Sequence, residues 1–294
     1  MKKQKLPLLF LALPGIILIF LFGYLPLFGL VIAFKNVDYS KGIWASDWVG
    51  LKNFEFFFKS NDALRVTRNT LVMNALFIVF TLIVSVSVAI MLYYVGRRML
   101  RVTQTVLFLP YLISLVVASY ALEAFIDARY GVVNQFLNFL GLKNINFYYL
   151  PKWWYLIIVI CYIWKSAGYY SILYYTRLLS VDPSLYEAAS IDGAGRWAKI
   201  RHITFPGIKP TIMILLLMNV GNVLNAGFEV QYLLGNGLVQ SVSQTIDIYV
   251  LKWGISQGDY AIGTAAGIFK SVVSIILIVI ANQMAKRTGE ERLF

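Results

Sequence analysis

Few residues in this chain could do covalent chemistry. Its 294 residues hold a single histidine, His202, and a single cysteine, Cys161, which lies inside an apolar run. That inventory builds no disulfide framework, thiolate or multi-histidine metal site, and leaves little scope for a nucleophile–base triad. No G-x-x-x-x-G-K-S/T loop is present to cradle a nucleotide phosphate. What remains is polar chemistry in apolar surroundings. Lys165, Glu229 and Lys270 are ionisable residues within apolar stretches, and Asn219, Asn222 and Asn225 recur every three residues. Such groups are costly in lipid and tend to face a bundle interior or water. One reading pairs Glu229 with Lys165 or Lys270 so that they line or close a path. The other has the three snorkel to an interface. The asparagine stripe could hydrogen-bond a hydroxyl-rich solute, or bond neighbouring helices, which is the commoner use of amides in membranes. The second polar feature is Glu187–Pro206, EAASIDGAGRWAKIRHITFP, a basic insert between apolar segments and the natural place to meet another protein.

The elements that must position these residues follow from composition. Apolar residues make up 59% of the chain and charged residues 14%, and the mean hydropathy is +0.71. These values belong to a polytopic membrane protein. A spanning helix needs roughly 20 apolar residues. Six such runs are expected, at about Leu8–Phe34, Leu71–Val95, Thr105–Phe125, Trp154–Tyr175, Thr211–Leu234 and Ile262–Ala285. The first follows Lys2, Lys3 and Lys5 but is too long for a signal-peptide core, so it reads as a retained helix. Basic residues are denser at both termini and in the 96–104 and 176–210 loops than in the longer segments 35–70, 126–153 and 235–261, which places both termini in the cytosol. The net charge of +12 then reflects basic loop ends beside an anionic leaflet rather than a nucleic-acid surface. With no linker or low-complexity tract, residues 1–294 read as one transmembrane domain. Leu51–Thr67, with Phe54, Phe56, Phe57 and Phe58, reads as an external interfacial helix, with docking of a partner protein as the weaker reading. Trp153, Trp154 and Tyr155 read as an interfacial belt.

The loop itself can be read residue by residue. Asp182-Pro183 starts a helix by capping its free N–H groups and presetting φ. A helix over Ser184–Asp192 presents Leu185, Ala188, Ala189 and Ile191, and Gly193 permits a turn that other residues resist. Ala194–His202 forms a second, basic helix with Trp197 and Ile200, ended by Pro206 and Pro210. An amphipathic hairpin lying on lipid fits the same pattern.

The spacing Glu187-Ala188-Ala189, Gly193, then Ile203-Thr204-Phe205-Pro206 resembles the EAA signature of permease subunits of binding-protein-dependent ABC importers, with Phe205 where leucine is usual. The string LYEAASIDGAGRWAKIRHITFPGIKP is similar to the carbohydrate branch, the maltose- and glycerol-phosphate-type permeases. VGLKNFEFFF, FLPYLIS, TIDIYVLKWGI and YAIGTAAGIFKS resemble the LplB-like group associated with oligosaccharide or polysaccharide import. The resemblance implies an all-α, six-helix permease of the type I importer fold in the plasma membrane. It would form one path with a related second permease, powered by two cytosolic ATPase subunits that hold ATP and Mg and supplied by an extracellular solute-binding protein. The chain itself would carry no cofactor, metal or catalytic residue. The resemblance assigns ATPase coupling to Leu185, Glu187, Ala188, Ala189, Asp192, Gly193, Trp197, Ile203 and Pro206, the loop moving as the helices rock between inward- and outward-facing states. Aromatic faces stack on sugar rings, so some tyrosines, Tyr170 among them, could line a saccharide route, although core packing is the commoner use of any one of them. Import of an amino acid, peptide or anion stays open. An ion-coupled secondary transporter fits less well, because the spans hold few acids.

Overall fold

The computed structural model describes residues 5–221, 224 and 227–287. The chain opens with α1 (Lys5–Ile19), continued by a π turn (Phe20–Tyr24) and a 3-10 segment (Leu25–Phe34). A two-residue antiparallel ladder, β1 (Lys35–Asn36) with β2 (Asp47–Trp48), pairs Lys35 with Trp48 and Asn36 with Asp47. Then come α2 (Lys52–Lys59), α3 (Asn61–Tyr93), α4 (Arg97–Leu112), α5 (Leu115–Ile126), α6 (Val132–Phe139), α7 (Pro151–Leu178) and α8 (Pro183–Ile191). The remainder is α9 (Arg196–Lys199), α10 (Phe205–Gly221), α11 (Phe228–Leu234), α12 (Gln240–Ser243), α13 (Ile246–Leu251) and α14 (Tyr260–Arg287). Among the described residues, five stretches can cross a bilayer by length and composition: Phe10–Phe34, Asn61–Tyr93, Pro151–Leu178, Arg196–Asn219 and Tyr260–Gln283. A sixth crossing is available as the pair Arg98–Leu112 and Leu115–Ile126, bent by 99°.

That bend corrects the expected straight span Thr105–Phe125. Ile113 (φ −71°, ψ 135°) and Ser114 (φ −63°, ψ 146°) are extended, and the Ser114 side chain accepts the Val117 N–H to start a new helix. Pro110 has already removed one backbone donor from the last turn of α4. The fifth span is corrected in the opposite sense. Pro206 and Pro210 do not end the basic helix, because the chain stays helical from Arg196 to Gly221 through a π turn at Ile200–Thr204. Proline lacks an N–H and crowds the carbonyl four residues back. A π turn directly before Pro206 re-spaces those carbonyls, since the Phe205 N–H reaches back to Ile200 O. At the other end, Phe228–Leu234 is not part of the expected Thr211–Leu234 run but a separate helix. It starts after Gly227, whose φ of +78° suits glycine alone and whose added Cβ would lie 2.2 Å from the Phe77 ring.

Two compact units form, each assembled from sequence-distant segments: Met1–Leu64 with Ile246–Ser271, and Arg65–Thr245 with Val272–Phe294. In the first, the Lys35 ammonium is buried and donates to the carbonyls of Ile43 (3.1 Å) and Trp44 (2.6 Å), closing the loop between the two strands. Asn53 Nδ2 ties α2 to the end of the 3-10 segment and to β1 through Ala33 O (2.9 Å) and Lys35 O (3.0 Å). The interfacial helix expected over Leu51–Thr67 is split at Ser60, and Phe57 is fully buried against Tyr249 and Phe269. In the second unit α4 packs against α7 so closely that Gly168 is obligatory, because its added Cβ would lie 1.8 Å from Leu107 O. Trp154, expected in an interfacial belt, is instead buried in a core with Ile158, Phe147 and Met73, its indole N–H donating to Phe147 O (2.9 Å).

Candidate functional site

The polar insert folds as a locked hairpin within the second unit. Asp182 caps α8 by accepting the Ser184 N–H at 2.9 Å, and that backbone donor holds the Asp182 carboxyl below the usual carboxylate range. At the other end Gly193 takes φ +74°, and the Ala194 N–H returns to Ala189 O at 2.8 Å, the left-handed stop that sequence reasoning assigned to Gly193. Side chains then tie the two arms. The Tyr186 hydroxyl and Thr204 Oγ1 lie 3.0 Å apart, and Lys199 Nζ donates to Ser190 Oγ at 2.6 Å. The Tyr186 ring packs on Tyr93 of α3, and Arg177 Nε at the end of α7 donates to Gly207 O at 3.2 Å. Gly207 lets Val181 approach, since an added Cβ would sit 2.6 Å from Val181 Cγ2. Tyr186, Ser190 and Arg177 were not singled out from the sequence, and Thr204 was read only as part of the signature. Tyr186 next to Glu187 was legible as a residue, but its partner lies eighteen positions away across the turn.

With the arms fixed, the outward face is defined. Leu185, Glu187, Ala188, Asp192, Gly193 and Pro206 are exposed, and Ala189 and Ile203 are half-buried. Ile191 and Trp197 are 88% and 82% exposed, extreme for large apolar side chains in a chain with a packed core. Trp197 and Ile200 also line an apolar cavity of about 490 Å³ with Ile90, Met91 and Tyr94 at the end of α3. The hairpin is therefore a preformed apolar surface with a free carboxylate at Glu187, continuous through the π turn with a spanning helix.

The intramembrane residues do not assemble as expected. Lys270 pairs with Asp247 of α13 and not with Glu229, and both partners are largely buried. Asp247 was missed because it sits outside the apolar windows. Lys165 caps the broken span instead, donating to the carbonyls of Ile113 (2.5 Å), Tyr111 (3.1 Å) and Pro110 (3.4 Å). A helix end leaves its last carbonyls unpaired and carries partial negative charge, so an ammonium is suited to it. Glu229 is exposed on α11. Asn219 Oδ1 accepts the Tyr170 hydroxyl at 3.2 Å and its Nδ2 donates to Leu215 O at 2.8 Å, so this amide bonds helix to helix. Tyr170 and Asn219 border a cavity of about 20 Å³ with Thr81, whose buried hydroxyl has no partner among the described residues. That volume suits a single water. Asn222 and Asn225 lie outside the described residues.

Residues 94–290 match the family described as binding-protein-dependent transport system inner membrane component. The chain belongs to this family. Protein LplB of Bacillus subtilis (strain 168) is 40% identical over 100% of this chain and 92% of the relative. The polygalacturonan/rhamnogalacturonan transport system permease protein YteP of the same organism is 37% identical over 99% of this chain and 91% of its own length. Among solved structures, a chain of a bacterial alginate ABC transporter in complex with an alginate pentasaccharide-bound periplasmic protein superposes with a TM-score of 0.91 at 34% identity. The match covers 99% of this chain and 98% of that one. The family resemblance drawn from the EAA spacing is thus established. The chain has the type I importer permease fold, sits in the membrane and is a transport subunit rather than an enzyme.

Proposed function

We propose that this permease carries oligosaccharides or polysaccharide fragments inward, pairing with a second permease to form the path. Two ATPase subunits, which bind ATP and Mg, drive it, and an extracellular solute-binding protein delivers the sugar. Both termini and the Asp182–Pro206 hairpin face the cytosol in this reading, as the denser basic residues of those segments favour. The observation that carries it is the hairpin: a rigid, outward-turned apolar face of Leu185, Ile191 and Trp197 around Glu187, joined without a break to Arg196–Asn219. Such a surface suits a cleft on a partner, and its stiffness lets partner motion tilt the span directly. The saccharide assignment is supported by relatives whose names specify polygalacturonan, rhamnogalacturonan and alginate transport.

The test is ATPase activity of the reconstituted assembly, with and without oligosaccharide-loaded binding protein, comparing wild type with Glu187→Arg. Sugar-dependent stimulation that Glu187→Arg loses while the assembly remains intact is the expected result. Stimulation by an amino acid, peptide or inorganic anion and by no saccharide would overturn the sugar assignment, and failure to associate with any ATPase would overturn the coupling assignment.

A further inference from the structure

A third cavity, of about 270 Å³, opens where α5, the segment before α7 and the end of α11 meet. This is close to the lower end of the roughly 300–1,000 Å³ typical of small-ligand pockets, room for one sugar residue rather than a chain. Its wall combines Glu123, Ser119 and Asn236 with the rings of Tyr120 and Tyr148, backed by the buried Trp154. Carboxylate, amide and hydroxyl groups hydrogen-bond ring hydroxyls, and aromatic faces pack against the apolar face of a pyranose. Asn236 supplies an independent sign of a ligand. Its Oδ1 accepts the Leu238 N–H at 2.9 Å, while its Nδ2 is buried with no acceptor among the described residues. A buried unpaired donor is unfavourable unless something arrives to accept from it.

The pocket is built and not a gap left by a loose loop. Asn134 Nδ2 donates to Asp127 O and Ile145 O, both at 2.9 Å, and its Oδ1 accepts the Ile145 N–H at 2.8 Å, pinning the segment that presents Tyr148. Trp154 is fixed by its bond to Phe147 O. Tyr148 is pushed up to about 12, by burial first and then by the carboxylates of Glu123 and Asp127, so its phenol stays neutral. The charges that reach this phenol are negative, and no lysine or arginine is among the described residues lining the cavity.

We infer that this cavity is a subsite for a single uncharged pyranose unit and that Glu123 makes it discriminate against uronic acids. The inference rests on the saccharide reading above and sharpens it, because YteP and the alginate transporter are named for acidic polysaccharides. A uronate carboxylate placed beside Glu123 meets like-charge repulsion, whereas a hydroxymethyl group at the same carbon does not.

The full chain in lipid nanodiscs tests it, with binding of α-1,4-linked digalactose and digalacturonate at pH 7 read by saturation-transfer NMR. Wild type is expected to prefer the neutral disaccharide by at least about tenfold. Glu123→Gln, nearly isosteric, should bring the two within about threefold, and Asn236→Leu should weaken the neutral sugar. Equal binding of both sugars by wild type, or an unchanged ratio in Glu123→Gln, overturns the subsite. Failure of this inference is distinguishable from failure of the transport reading. The subsite falls alone if oligosaccharides stimulate the assembled ATPase but Glu123→Gln leaves selectivity unchanged, and both fall if no saccharide stimulates it.

Discussion

Gly168→Ala is the sharpest single probe of the second unit. The new Cβ would lie 1.8 Å from Leu107 O and 2.6 Å from the carbonyl carbon, and both are backbone atoms, so no side chain can swing aside. Since 3.0 Å is the closest such approach, α4 and α7 must separate by at least about 1.2 Å. A gap of that size forfeits a large part of the dispersion energy along the crossing. It also stretches the 2.5 Å bond from Lys165, one turn before Gly168, to Ile113 O beyond hydrogen-bonding range. Overpacking typically costs about 1–3 kcal/mol and a lost charged hydrogen bond about 1.5–3, so about 3–5 kcal/mol is expected. The lone thiol provides the assay. Cys161 lies on α7 and is buried, so maleimide reaches it only when α7 leaves its packing. Pulse labelling across an SDS titration should show Gly168→Ala labelling at least about a hundredfold faster at low SDS. Gly267→Ala, whose Cβ meets nothing within 4 Å, should match wild type. A Gly168→Ala chain that labels like wild type would refute the close crossing.

Gly193→Ala forces a side chain into φ +74°, costing about 1–2 kcal/mol locally, and should lower sugar-stimulated ATPase activity while the assembly still purifies. At Asp182, Asn keeps an acceptor for Ser184 and should retain coupling, whereas Ala should reduce it. Because the folded carboxyl of Asp182 titrates below its ordinary value of about 3.9, its cap is present above that value and lost only as pH falls through the lower folded one. Coupling measured between pH 5 and 8 should therefore show no inflection from Asp182. Lys165→Met leaves the carbonyls at the span break without their donor and should destabilise by about 2–3 kcal/mol in the thiol assay. Asp247→Lys and Lys270→Asp should each impair stability, read as the SDS midpoint for loss of helical circular dichroism, and the double exchange should recover much of it. Recovery by a charge-reversed Glu229 instead would refute the observed pairing.

The hydrophobic runs alone indicated most of the long apolar helices, because about 20 consecutive apolar residues leave few other choices, although the fifth runs over Arg196–Asn219 rather than Thr211–Leu234. The hairpin was also legible, since Asp182, Pro183 and Gly193 act through local backbone geometry. The bend at Ile113–Ser114 was not, because neighbouring apolar residues carry no sign of direction once a window is hydrophobic throughout. Pro206 misled for a related reason: a proline rule counts the bond it removes, not the π turn that accommodates it. Lys165 and Lys270 were recognised as unusual, but neither reading, a pair with Glu229 or snorkelling to an interface, named the partners they find. One finds backbone carbonyls 52–55 residues away and the other an acid on a short helix, and neither distance is encoded in periodicity.

The carbonyl cap by Lys165 also bears on biogenesis. As α7 enters the bilayer alone, its ammonium burdens insertion by about 2.5–3.5 kcal/mol near the helix centre. The groups that relieve this, Pro110, Tyr111 and Ile113, were synthesised earlier and lie at the end of α4. They are themselves ill-suited to lipid, since a broken helix exposes carbonyls that hydrocarbon cannot satisfy. Each defect is the remedy for the other. The bent pair and α7 thus satisfy each other's polar groups only once both are in place.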